Sequence, residues 1–154
     1  MNYWLIKSEG NCYSINDLKK DKVVPWSGIR NFQARNLMRD TMLVGDKTLF
    51  YHSNGTKENP TGVYGIAKVV SKPYADPTQF DKQDEHYDPK SKKENPTWIL
   101  VDMAFESEFK NPVSLVQIKF EPKLKGIMVA QQGSRLSIQP VSKEHFETIV
   151  KMSK

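Results

Sequence analysis

The stretch Pro25-Trp26-Ser27-Gly28-Ile29-Arg30-Asn31-Phe32-Gln33-Ala34-Arg35-Asn36 gathers residues able to recognise a nucleobase. A Trp face stacks on a base with about 1–3 kcal/mol, and Asn and Gln amides present both donors and acceptors to a base edge. Arg30 and Arg35 add charge suited to phosphate. A lone Trp is usually a core anchor. Trp26, set among Arg30, Asn31 and Gln33, is instead expected to bind. A second stretch, Gly133-Ser134-Arg135-Leu136-Ser137-Ile138-Gln139-Pro140, suits a turn that presents Arg135 flanked by Ser134 and Ser137. Arg135 could there pair with Glu9 or contact a phosphate, and both readings stay open.

Glu9 closes the first apolar stretch just before Gly10, and His52 ends another, between Tyr51 and Ser53. Together they could form an acid–base couple. His52 is equally readable as a buried, hydrogen-bonded ring or as a pocket wall, whereas His86 and His145 lie in polar surroundings and read as surface residues. No Gly-rich phosphate loop, His-x-x-x-His pair or Gly-x-Ser-x-Gly elbow occurs. Cys12 is the single cysteine, so neither an intrachain disulfide nor a Cys-based zinc site is available. One carboxylate and one imidazole without a nucleophile argue against catalysis. The sequence predicts no catalytic residue, no metal and no cofactor.

These residues need a scaffold, and the alternation of apolar residues supplies one. Residues 2–7 read as a strand. Ser14-Ile15-Asn16-Asp17 opens a short helix over 15–20 with a capping box in which Asp17 replaces the usual Glu. Pro25 forces an extended approach to a second helix over 30–40. Strands are expected at 47–52 and 62–72, paired antiparallel, and at 98–109, the longest, with Ile99, Val101, Met103 and Phe105 on one face. Residues 73–97 are rich in turns, with one helical turn near Phe80. A short helix follows Asn111-Pro112. Strands are expected at 126–131 and 136–141, and Ser142 caps a last helix with Phe146, Ile149 and Val150 buried. The outcome is one α+β domain over residues 1–154, a small barrel of five or six strands with short peripheral helices.

Composition bounds the partners. The chain carries 23 Lys and Arg against 18 Asp and Glu, a net charge of +5. The window Lys19–Arg39 holds six of the basic residues and one acid, so the rest of the chain is neutral. A localised basic excess suits a polyanion, although an ordinary solvated face has the same composition. No apolar run reaches bilayer-spanning length, so no membrane partner is expected. Met1–Gly10 lacks a charged segment leading into an apolar one. A cytoplasmic monomer is expected.

Taken in order, Trp-Leu-Ile-Lys-Ser-Glu (4–9), Trp-x-Gly-Ile-Arg-Asn-x-Gln-Ala-Arg-Asn (26–36), Phe-Tyr-His-Ser-Asn (50–54) and Gly-Ser-Arg-Leu-Ser-Ile-Gln-Pro (133–140) closely resemble the EVE domain family. That family lies within the PUA-like group related to YTH readers. Phe80-Asp81, Tyr87–Lys90 and Asn95–Trp98 resemble its middle section, so the likeness covers the whole chain. It implies a PUA-like β-barrel whose pocket receives a flipped, modified base. It also implies the lining residues: Ser8 and Glu9; Trp26, Arg30 and Asn31; Tyr51, His52 and Ser53; Arg135 and Ser137. Gln33 and Arg35 join this set from the reading of the residues themselves. One departure is Gly10, where the family commonly has Pro. The function expected is a non-enzymatic nucleic-acid-binding module for a modified DNA or RNA base. The alternatives are a nucleic-acid-processing hydrolase or RNase using Glu9 and His52, and a protein-interaction module.

Overall fold

A computed structural model describes residues 1–154. Eight strands and four α-helices follow in the order β1 (Tyr3–Glu9), α1 (Ile15–Asp21), β2 (Val23–Pro25), α2 (Phe32–Asp40), β3 (Lys47–Ser53), β4 (Gly62–Val69), β5 (Tyr74–Ala75), β6 (Ile99–Leu100), β7 (Asp102–Ser114), α3 (Leu115–Phe120), β8 (Ile138–Val141) and α4 (Lys143–Met152). Six strands form one mixed sheet in the order β2-β7-β4-β3-β1-β8, and β5 pairs with β6 apart from it. Only β1 and β3 run parallel in the large sheet, with Ser8 beside His52 and Glu9 beside Ser53. Register breaks in β3, β4 and β7 curl the sheet into a half-barrel.

Period-two alternation divides the core between the two faces of this sheet. Trp4, Ile6 and Phe50 point to the side covered by α1 and α2, where Ile15, Leu18, Ala34 and Met38 bury against them. Leu5, Leu49 and Tyr51 point to the other side, against Ile118, Leu124, Phe146 and Ile149 from α3, α4 and the segment between α3 and β8. Buried Trp4 donates through Nε1 to Asp46, at 2.9 Å. That bond ties β1 to the turn before β3.

The helices start where capping chemistry places them. Ser14 and Asp17 satisfy each other's amides in a complete capping box at α1. Ser114 with Gln117 does the same at α3, and Ser142 caps α4. Asn31 caps α2 through Oδ1, which accepts from the Ala34 amide at 2.9 Å, so the helix begins at Phe32 and not at Arg30. Residues 126–131 depart from the expected strand. Ile127 and Val129 alternate inward, but Ala130 N bonds Ile127 O and Gln131 N bonds Met128 O, closing a 3-10 turn over Met128–Ala130. Two-residue alternation thus buried the right side chains without a partner strand.

Candidate functional site

The C-terminal end of β1, the turn at residues 10–13, the end of β2 and the segment 85–86 surround a cavity of about 620 Å3. Trp26 forms much of one wall. Pro25 ends β2, and the Trp26 amide still donates to Val101 O at 2.9 Å, fixing the backbone. The half-buried ring meets Phe50 edge-on at 5.7 Å and Tyr13 edge-on at 6.2 Å. Neither contact is a parallel stack, so no aromatic side chain lies flat on the indole, which is the place a stacking partner would take.

Polar groups converge on the same space. Ser8 Oγ donates to Tyr13 O at 2.6 Å. Lys7 reaches Ser134 O with Nζ at 3.0 Å, and partial burial lowers its pKa. The exposed Glu9 accepts a weak bond from Cys12 Sγ at 3.4 Å, and this bond raises the Cys12 thiol pKa. Glu9 O also accepts from the amides of Cys12 and Tyr13, so the turn is tied although Pro is absent at position 10. A carboxylate, an ammonium and hydroxyl groups beside an indole can read a base edge that has both donors and acceptors.

The far side of the cavity is held by an ion pair. Asp76 is fully buried; burial alone would raise its pKa, but bonds from Thr78, from the Gly28 and Thr78 amides and from Arg30 keep it below the usual carboxylate range. Arg30 pairs with Asp76 at 3.1 Å and donates to Thr78 Oγ1, Ile29 O and twice to His86 O. All of its N–H directions are thereby used within the protein. His86 lies against Gly28, where an added Cβ would come within 2.9 Å of the ring, and the Gly28 backbone has φ +87°. His86 thus lines the cavity, brought there from a distant loop.

The twelve residues singled out in the sequence fall into separate places. Ser8, Glu9 and Trp26 share the cavity just described. Asn31, Gln33 and Arg135 line an adjacent open groove of about 450 Å3, beside Gln131, Gln132 and Ser134. The Lys7–Ser134 bond marks where the two meet. Arg135 is exposed and forms no ion pair with Glu9. His52 and Ser53 line a third cavity of about 470 Å3 with Gly10, Asn16 and Tyr64. His52 Nε2 accepts from the Ile15 amide at 3.0 Å, its ring stacks on Tyr64 at 4.0 Å, and burial pushes its pKa down to about 4. Ser53 Oγ donates to Ser8 O.

Tyr51, Arg35 and Ser137 line none of these three cavities. Tyr51, only 3% exposed, belongs to the opposite face of the sheet from Trp26, because neighbours on a strand point to opposite sides. Tyr51 does not line the Trp26 cavity, although Lys7, which does, holds Nζ 6.0 Å from the Tyr51 ring centre. Arg35 donates to Thr97 O and Asn36 Oδ1, and Ser137 gives its carbonyl to the Lys7 amide. The basic window also disperses: Lys19 pairs with Glu108, Arg30 with Asp76 and Arg39 with Asp40. Lys7, Tyr13, Gly28, Glu85 and His86 line the Trp26 cavity without having been singled out. Lys7 adjoins Ser8 and was open to inference; nothing local marks His86.

The chain as a whole is similar to known proteins. The EVE domain family model matches residues 2–152. Thymocyte nuclear protein 1 of Danio rerio is 41% identical over 97% of this chain and 71% of that protein. A crystal structure of a Pseudomonas syringae protein superposes with a TM-score of 0.92 at 39% identity, covering 99% of both chains. Human thymocyte nuclear protein 1, crystallised in complex with 5-methylcytosine-containing DNA, gives 0.89 at 37% identity, covering 100% of this chain and 98% of that one.

Proposed function

The chain belongs to the EVE domain family, and from that premise we propose that it is a non-enzymatic reader that takes a modified nucleobase of DNA or RNA into the Trp26 cavity. The observation that carries the reading is the Trp26 ring itself, held by T-shaped contacts with no aromatic ring stacked on it, in a cavity that Ser8, Glu9 and Lys7 also line. Extruding a base from a stack costs a few kcal/mol. Stacking on Trp26 and hydrogen bonds from the surrounding polar groups offset that cost. Likeness to a protein crystallised with 5-methylcytosine-containing DNA makes modified cytosine the first ligand to try.

A base-processing role for Glu9 and His52 has less support. Glu9 lines the Trp26 cavity and His52 a different one, and His52 is neutral near pH 7 with Nε2 engaged by a backbone amide. No helix is long and apolar enough to cross a membrane. Monomeric action in the cytoplasm belongs to the same proposal; it rests on composition, and size-exclusion chromatography with cell fractionation checks it. The central test is fluorescence anisotropy with oligonucleotides that differ only in 5-methylcytosine. Trp26→Ala, shown folded by circular dichroism, weakens binding roughly 5- to 150-fold, the equivalent of the lost stack. Unchanged affinity and base preference in that variant would overturn the reading.

A further inference from the structure

Phe32 opens α2 and is 59% exposed, although its ring packs on Trp98 at 4.9 Å. Arg35, one turn along, holds its guanidinium 4.9 Å from the Phe32 ring centre, while Arg30 stands 5.3 Å from that of Trp98. The result is an aromatic pair bracketed by two cations, with the outer ring left in solvent. Arg35 bonds only neutral oxygens and has no carboxylate within ion-pair reach.

The loop that buttresses this pair adds to the charge. Trp98 Nε1 donates to Asp88 Oδ2 at 2.8 Å, and the Lys90 amide donates to the other oxygen of the same carboxylate at 2.9 Å. Thr97, whose carbonyl accepts from Arg35, donates its amide to Ser91 Oγ. Lys90, Lys92 and Lys93 therefore ride on the same short loop as Phe32's support. All three are exposed and unpaired, and Glu94 is the one exposed acid between Lys90 and Trp98. An exposed ring with free cations around it matches a nucleic-acid strand: bases stack on the ring, and phosphates meet the charge.

Position decides which strand. Asn31 and Gln33 flank Phe32 in sequence and line the groove that meets the Trp26 cavity at the Lys7–Ser134 bond. We propose that the single-stranded nucleotides flanking the recognised base cross this groove onto α2, one base stacking on Phe32 and its phosphates facing Arg35, Lys90, Lys92 and Lys93. The proposal rests on the reading of the Trp26 cavity and extends it to a second contact for the same strand. It commits to an unpaired flank, because a base held in a duplex cannot lay its face on Phe32.

The test compares two probes on the intact chain: 5-methyldeoxycytidine nucleoside, and a single-stranded oligomer carrying that base centrally. Phe32→Ala weakens the oligomer by roughly tenfold, the scale of one base–aromatic stack, and leaves the nucleoside unchanged; Phe32→Tyr restores the oligomer. Replacing Lys90, Lys92 and Lys93 by Glu lowers the slope of log affinity against log salt by about two, near 0.7 per lost phosphate contact. Oligomer affinity and salt slope unmoved by both changes would overturn the platform while leaving the pocket standing. Loss of nucleoside binding in Phe32→Ala would also overturn it. Failure of the pocket reading shows differently, as indifference of both probes to Trp26→Ala.

Discussion

Ser8 and His52 sit side by side in the one parallel strand pair of the large sheet and face the same side of it, yet they line different cavities. Around His52 much of the ring is engaged by neighbouring segments. The start of α1 lands on Nε2, Tyr64 stacks on the ring, and Gly10 lies so close that a Cβ there would come within 2.8 Å of Nδ1. Around Trp26 the protein stops short of filling the space. The Arg30–Asp76 pair holds the 76–86 segment against Gly28, and no aromatic ring stacks parallel on the indole. A polar or aromatic residue at a strand end thus becomes a peg or a wall according to whether a distant segment takes up its contacting atoms.

The largest test of this contrast removes the clamp. Asp76→Ala leaves Arg30 beside a missing partner and costs about 3–5 kcal/mol, as expected for one half of a buried ion pair. Urea denaturation reads the loss, and ligand binding at the Trp26 cavity falls with it. A midpoint like that of the parent chain would mean that the 76–86 segment is held by something else.

The second test uses pH and touches only the His52 side. Its folded-state pKa, near 4, lies below the unfolded value, so on acidification the unfolded chain takes up the proton first. His52 thus contributes stability that is fully present above about pH 6.5 and is lost as pH falls towards about 4, a loss of the order of 3 kcal/mol. His52→Gln flattens that part of the pH–stability curve, measured by urea denaturation across the window. An identical curve in the variant would show that His52 is not a buried neutral peg.

The smallest effect discriminates most finely. Gly28→Ala and Gly10→Ala each press a methyl group on a histidine ring, of His86 and His52 respectively, and each costs roughly 1–2 kcal/mol. Gly28→Ala adds left-handed strain and moves His86, so it also weakens ligand binding in an anisotropy titration. Gly10→Ala leaves binding as it was. Equal effects on binding would dissolve the distinction between the two cavities.

The sequence by itself determined the local events. Capping chemistry set the starts of α1 and α4, alternation chose which face of β1, β3 and β7 is buried, and Pro25 fixed the extended approach to Trp26. A strand end marked Glu9 and an indole among polar residues marked Trp26, while the resemblance to the EVE family added Ser8 and grouped the three. What it could not show was company. Tyr51 looked like a second wall until the pleat placed it across the sheet from Trp26, and Arg30 looked free until Asp76, 46 residues away, claimed it. His86 reached the cavity only through that same pair, and the strand expected at 126–131 closed into a 3-10 turn because no partner strand lay beside it. Propensity, capping and period act over a few residues, so one chain segment contains them. Which polar atom is left unshared depends on segments far apart in sequence, and only the tertiary structure decides that.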